Sequence, residues 1–179
     1  PAQGLRDRVV LLLESLEALP AGVASVGQAL QRALELNAGD IDLAAGLARV
    51  YRTQPEILEK AERELAESER AQLADAVIDK MVAARPKDPA VYLARSAYRR
   101  QHGLPAAHED LDTALARGPD DLAVRLVCGH AAQTQARELM GKGSPAAAYE
   151  QYGRAREHYE RALKIAPSDA RPYLLLGQL

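Results

Sequence analysis

The side chains best able to do chemistry are Cys128, four histidines and a Gly-Lys-Gly-Ser run, and their spacing decides what they can do. Cys128 and His130 stand two residues apart, which on a helix turns them to different faces and makes them a poor metal pair. His102 and His108 straddle a predicted turn with no thiol nearby. Gly141-Lys142-Gly143-Ser144 glances at a phosphate-binding loop. That loop needs a Gly five residues before a Gly-Lys-Ser/Thr triplet, whereas Ala136 occupies the first position and Gly143 follows the Lys. The expectation there is a turn between helices. Carboxylates such as Glu109-Asp110 are expected to be solvated on a helix surface. No nucleophile elbow, zinc-protease helix or dinucleotide fingerprint occurs. The residues point away from an enzyme, and they call for no cofactor and no metal.

Binding to nucleic acid is weighed on the same terms. Arg99-Arg100 and Arg154-x-Arg156 are the densest basic spots, and Glu157 and Glu160 dilute the second. A formal net charge of -2 and the lack of a basic stripe argue against it.

What must position these residues is helical. The 179-residue chain is 47% hydrophobic and 27% charged, the balance of an ordered globular protein. Only 4% is aromatic, with neither Phe nor Trp, so Ala and Leu fill the apolar positions. That composition suits close helix packing and disfavours a β-sandwich. The single cysteine cannot form an internal disulfide. The longest apolar run, Val9 to Leu13, is far too short to cross a bilayer, so no direct membrane insertion is expected. The chain begins at Pro1 without a Met, which leaves room for a removed N-terminal segment.

Four stretches end alike: Gln31-Arg-Ala-Leu-Glu-Leu-Asn37, Asp79-Lys-Met-Val-Ala-Ala-Arg-Pro86, Asp112-Thr-Ala-Leu-Ala-Arg-Gly-Pro119 and Glu160-Arg-Ala-Leu-Lys-Ile-Ala-Pro167. In three, Pro stops the helix. An acidic or polar turn follows at Lys87-Asp88, Asp120-Asp121 and Ser168-Asp169. New amphipathic runs then open at Ile41, Ala90, Leu122 and Ala170. A further stripe, Leu5, Val9, Leu12, Leu16 and Leu19, is broken by Pro20-Ala-Gly22.

This pattern resembles the tetratricopeptide repeat. In that family a large and then a small residue sit midway along the first helix, and Leu47-Ala48, Arg95-Ser96, Cys128-Gly129 and Leu176-Gly177 occupy that place. The second helix carries small, large and small residues before the Pro. Ala155, Tyr159, Ala162 and Pro167 match best, Ala107, Leu111, Ala114 and Pro119 follow, and Ala74, Ile78, Met81 and Pro86 match more loosely. The resemblance covers nearly the whole chain. It implies an all-α, antiparallel helix-pair solenoid, a right-handed superhelical array with units at about 1–39, 40–86, 87–119, 120–167 and a half-unit at 168–179. On that alignment Cys128 is a buried packing residue, and buried thiols are normally inert.

The family period is about 34 residues. Pro86 to Pro119 is 33, but Ala38 to Pro86 and Pro119 to Pro167 are both 48. The surplus is about four helical turns, so both long units are expected to lengthen each of their helices by two turns. Thr53-Gln-Pro-Glu56 reads as a capping box, which would kink or break the first long unit near Pro55. Gly103 and Gly141-Lys-Gly143 read as helix ends, and Leu104-Pro105 and Ser144-Pro145 as helix starts. A lone half-unit from Tyr173 to Leu179 leaves an apolar face uncovered, so the natural protein is expected to continue.

The resemblance further implies a protein or peptide partner in a concave groove lined by first helices. Projected onto it are Asp42, Ala45, Arg49 and Arg52 in the first long unit, and Leu93, Ala97, Arg100 and Gln101 in the short one. The second long unit contributes Leu126, His130, Gln133 and Thr134, and the half-unit Arg171 and Leu174. Arg49, Arg52, Arg100, Gln101, His130, Gln133 and Arg171 are the candidate partner-binding residues, and their basic balance fits an acidic segment. The paired Asn and Lys clamp of chaperone-binding members is missing, because Asn37 is the single Asn and no Lys falls in the groove. The expectation is a scaffold in a bacterial multi-protein assembly. The alternative is a structural spacer or self-association module, with a homo-oligomer formed where a second copy covers Tyr173 and Leu176.

Overall fold

The computed structural model describes residues 26–179, all in helices, turns and connectors. The predicted stripe from Leu5 to Leu19 and its break at Pro20 lie outside the described residues. Two compact units are present, one ending at Pro86 and the other spanning Lys87–Leu179.

The first unit contains α1 (Val26–Leu36), α2 (Ile41–Thr53), a 3₁₀ turn (Pro55–Ile57), α3 (Lys60–Arg63) and α4 (Glu67–Ala84). α2 packs on α1 and on α4. The second contains α5 (Pro89–Gln101), α6 (Ala107–Arg117), α7 (Leu122–Gly141), α8 (Pro145–Ile165) and α9 (Ala170–Leu176). There α5 packs on α6 and α7, α6 on α7, α7 on α8, and α8 on α9. Neighbours in sequence are thus neighbours in space, as short connections require.

One turn recurs, and its chemistry explains the helix ends. α4, α6 and α8 each stop two residues before a Pro. The intervening Arg85, Gly118 and Ala166 have φ near -133, -133 and -135 and ψ of 60, 66 and 79. The proline ring's clash with the preceding residue excludes the helical conformation there. The chain then turns into α5, α7 and α9, which open on Asp88, Asp121 and Asp169, while Asp40 opens α2. Each carboxylate accepts a hydrogen bond from an otherwise orphaned N–H of the first turn: Leu43 at 3.0 Å, Ala90 at 2.9 Å, Val124 at 2.9 Å and Arg171 at 2.9 Å.

The small and large positions are buried where the repeat pattern places them. Ala74, Ile78 and Met81 on α4, Leu111 and Ala114 on α6, and Ala155, Tyr159 and Ala162 on α8 all lie in the core. Small side chains admit a neighbouring helix, and the large one fills the gap beside it.

Lengthening is realised differently in the two long segments. α7 and α8 run to 20 and 21 residues, against 13 and 11 for α5 and α6. In the first unit α2 has 13 residues and α4 has 18, and the remaining surplus goes into the connector between them. Pro55 is the cause, since it offers no N–H to extend α2. The predicted capping box at Thr53 does not form: the Thr53 hydroxyl donates to the Arg49 carbonyl at 2.9 Å instead. Glu69 takes that role one helix later, accepting from the Ala66 N–H at 2.8 Å.

Gly103 and Gly143 end α5 and α7 with φ of 63 and 72. In both, the N–H after the Gly reaches back to close the last turn, Leu104 to Arg99 at 2.8 Å and Ser144 to Leu139 at 2.9 Å. α6 starts at Ala107 rather than at Pro105, because Ala106 adopts a left-handed φ of 65. No helix among the described residues is long and apolar enough to cross a membrane.

Candidate functional site

Arg95 stands where the repeat pattern calls for an apolar residue, and its reach explains it. Its guanidinium donates to Asp110 Oδ1 from Nε at 3.0 Å and from Nη2 at 2.7 Å, while Arg99 Nη1 donates to Oδ2 at 2.9 Å. Asp110 is only 2% exposed. Arg95 also lies 5.7 Å from the centroid of the Tyr92 ring, and Ser96 Oγ donates to the Ala107 carbonyl at 2.7 Å. The Asp110 carboxylate therefore locks α5 to α6. This corrects the expectation that Glu109-Asp110 is solvated, which holds for Glu109 alone. The signal was present in the sequence as an Arg at an apolar position.

Gln133 is also turned inward. At 1% exposed, it donates from Nε2 to the Gln178 carbonyl at 3.1 Å and accepts from the Tyr159 hydroxyl at 3.3 Å. It ties α7 to α8 and to the end of α9 and cannot face a partner, contrary to the projection from the repeat. Burial pushes the Tyr159 hydroxyl above its ordinary range.

The other projected residues divide by what they touch. Arg52 meets Asp75 of α4 at 2.6 Å. Arg171 forks onto Asp169, Nε to Oδ1 at 3.0 Å and Nη2 to Oδ2 at 2.6 Å, and this pair holds the Asp169 carboxyl below its usual range. Arg49, Arg100, Gln101 and His130 are exposed.

Within Lys87–Leu179 these positions form a coherent surface. Ser96 on α5 and Gly129 on α7 are both buried, Ser96 against α6 and Gly129 against the Tyr159 ring. The residues that follow them, Ala97 and His130, are exposed, as are Gln101 and Thr134 one turn later. Leu93 and Leu126, one turn earlier, are half-buried. Two neighbouring first helices thus present matching strips, apolar at one end and polar along the rest.

The comparisons enter at this point. No protein-family model, curated protein or solved structure matches the chain.

The reactive groups are engaged in structure. Burial pushes the Cys128 thiol up to about 11, and its sulfur lies 3.9 Å from the Leu111 carbonyl. So protonated, it is a weak nucleophile. In the Gly141–Ser144 turn, the Gly143 and Ser144 N–H groups are spent on the Met140 and Leu139 carbonyls rather than aimed at an anion. Among the described residues no three His, Cys, Asp or Glu side chains gather to hold a metal ion.

Proposed function

We propose that this chain is a non-catalytic interaction scaffold of tetratricopeptide-repeat type. Its first helices hold a peptide or protein segment. One observation carries the reading: in Lys87–Leu179 each first helix packs on its own second helix, and α5 also packs on the next first helix, α7. That order consumes the small faces of α5 and α7 internally and leaves Ala97, Gln101, His130 and Thr134 on an open strip. Small and polar side chains with half-buried leucines at one end suit an extended segment, which gains apolar contact and hydrogen bonds together. The recurring Pro and Asp turn supports the repeat assignment independently, because it appears at the same place in successive helix pairs.

The test is selection from a displayed random-peptide library against the full chain, followed by binding to a variant whose strip is blocked without changing charge, Ala97→Trp with Thr134→Trp. Enriched peptides that lose binding to the blocked variant support the reading. Peptides that bind both forms alike place the contact elsewhere, and the groove assignment fails.

A second reading has its own observation. The long α7–α8 hairpin exposes Tyr149, at 69%, and Met140, as a self-association surface would. Sedimentation equilibrium of the chain and of Tyr149→Glu separates the readings, since only self-association predicts a mass that falls in the variant.

A further inference from the structure

We infer that the segment held on the α5–α7 strip is acidic. The inference rests on the scaffold reading above and names the chemistry of its partner. Charge in Lys87–Leu179 is sorted by helix. α5 carries Arg95, Arg99 and Arg100 with no carboxylate, and α7 carries Arg125 and Arg137 against Glu138 alone. α6, by contrast, bears Glu109, Asp110 and Asp112 against Arg117.

Internal contacts then remove most of the positive charge. Arg95 and Arg99 are neutralised by Asp110, and Arg125 donates to the Pro119 carbonyl at 2.6 Å and approaches His158. Arg100 and Arg137 remain, both exposed and neither ion-paired within the described residues. Arg137 lies seven residues after exposed His130 and three after exposed Thr134, so all three share one face of α7. Arg100 is adjacent to Gln101 of the α5 strip.

Glu138, the one acidic residue of α7, is turned about 100° from Arg137 and does not neutralise that face. Two guanidiniums without carboxylates therefore border a strip of small, neutral side chains. A segment bearing Asp or Glu supplies the missing charge and can take each guanidinium through paired hydrogen bonds. Nucleic acid fits less well: the strip residues Ala97, Gln101 and Thr134 offer no ring for base stacking, and the chain's net charge is -2.

The experiment measures fluorescence anisotropy of the full chain with three labelled probes. One is a peptide pool built from Asp, Glu, Leu and Gly, the second has Asn and Gln in place of the acids, and the third is a single-stranded oligonucleotide. The acidic pool is expected to bind at least about tenfold more tightly than its neutral counterpart, with affinity falling as salt rises. Arg100→Glu with Arg137→Glu should abolish the preference, while Arg154→Glu with Arg156→Glu on α8 should leave it intact. Equal binding of the two peptide pools, or tighter binding of the oligonucleotide, overturns the acidic assignment while a strip blocked by Ala97→Trp with Thr134→Trp still tests the scaffold. Retained preference in the Arg100 and Arg137 variant overturns it as well. If neither peptide pool binds a normally melting protein, the scaffold reading falls with it.

Discussion

A Cβ built on Gly129 of α7 would lie 2.3 Å from Cε1 of Tyr159 on α8, inside the ring's van der Waals surface. Tyr159 is fully buried there, with its hydroxyl donating to Gln133. The absence of a side chain at residue 129 is therefore what lets the ring cross the α7 backbone. Gly129→Ala should destabilise the protein by about 2 kcal/mol through overpacking. Gly153 on α8 has no heavy atom within 4 Å of an added Cβ. Gly153→Ala should then be neutral or stabilising by up to about 1 kcal/mol. Denaturant unfolding of both variants checks this; equal losses would mean that helix propensity and not the ring contact governs residue 129.

Asp110 balances two guanidiniums at the α5–α6 contact, with all three side chains largely withdrawn from water. Asp110→Ala strands both and should cost about 3 kcal/mol. The companion variant Arg95→Ala should be milder, since Arg99 still satisfies the carboxylate. In the double variant the two losses should sum to clearly more than the observed cost, by about 1 kcal/mol or more. Strict additivity would show that the pair does not act as a unit.

Ala106 is the one non-glycine residue with positive φ among those described, at 65. Its Cβ crowds the backbone there, at a cost of about 1 kcal/mol that glycine escapes. Ala106→Gly should therefore stabilise the protein by up to about 1 kcal/mol, the reverse of the usual effect of that substitution at a helix boundary. A lowered thermal midpoint would contradict the left-handed turn.

Two buried acids set the alkaline limit. Burial pushes the Cys128 thiol from 9.0 up to about 11. Burial, followed by its hydrogen bond to Glu62, pushes the Tyr51 hydroxyl from 10.0 up to about 12. Both are raised in the folded state, so each contributes stability that is complete below its unfolded value and is lost as pH climbs through the folded one. Thermal midpoints should hold steady up to about pH 9 and fall between about pH 9 and 12. Cys128→Ala should flatten the first part of that fall. A midpoint that drops instead on the acid side of pH 9, with no change in the variant, would sink the assignment.

The strip itself was legible in part. Ala97, Arg100, Gln101, His130 and Thr134 are exposed as projected, because helical periodicity fixes which residues share a face once one small residue is known to lie beneath a neighbour. Gln133 went the other way. Its projection ignored the end of α9, whose Gln178 carbonyl needs a donor and finds it 45 positions back along the chain. Arg52 and Arg171 were read as partner contacts, yet Asp75 and Asp169 had already claimed them.

By itself the sequence determined the helices, their stops and the positions that must be small. Proline's missing N–H, its clash with the preceding residue and an aspartate cap act within a few residues, so local order is enough to read them. It also determined that the α7–α8 pair is long. What only the tertiary structure decided is which charges are spent. The burial of Asp110 beneath two arginines, the inward turn of Gln133 and the diversion of the first surplus into a connector all depend on groups brought together from distant positions. Hydrophobic periodicity records which face is covered, but it does not record what covers it.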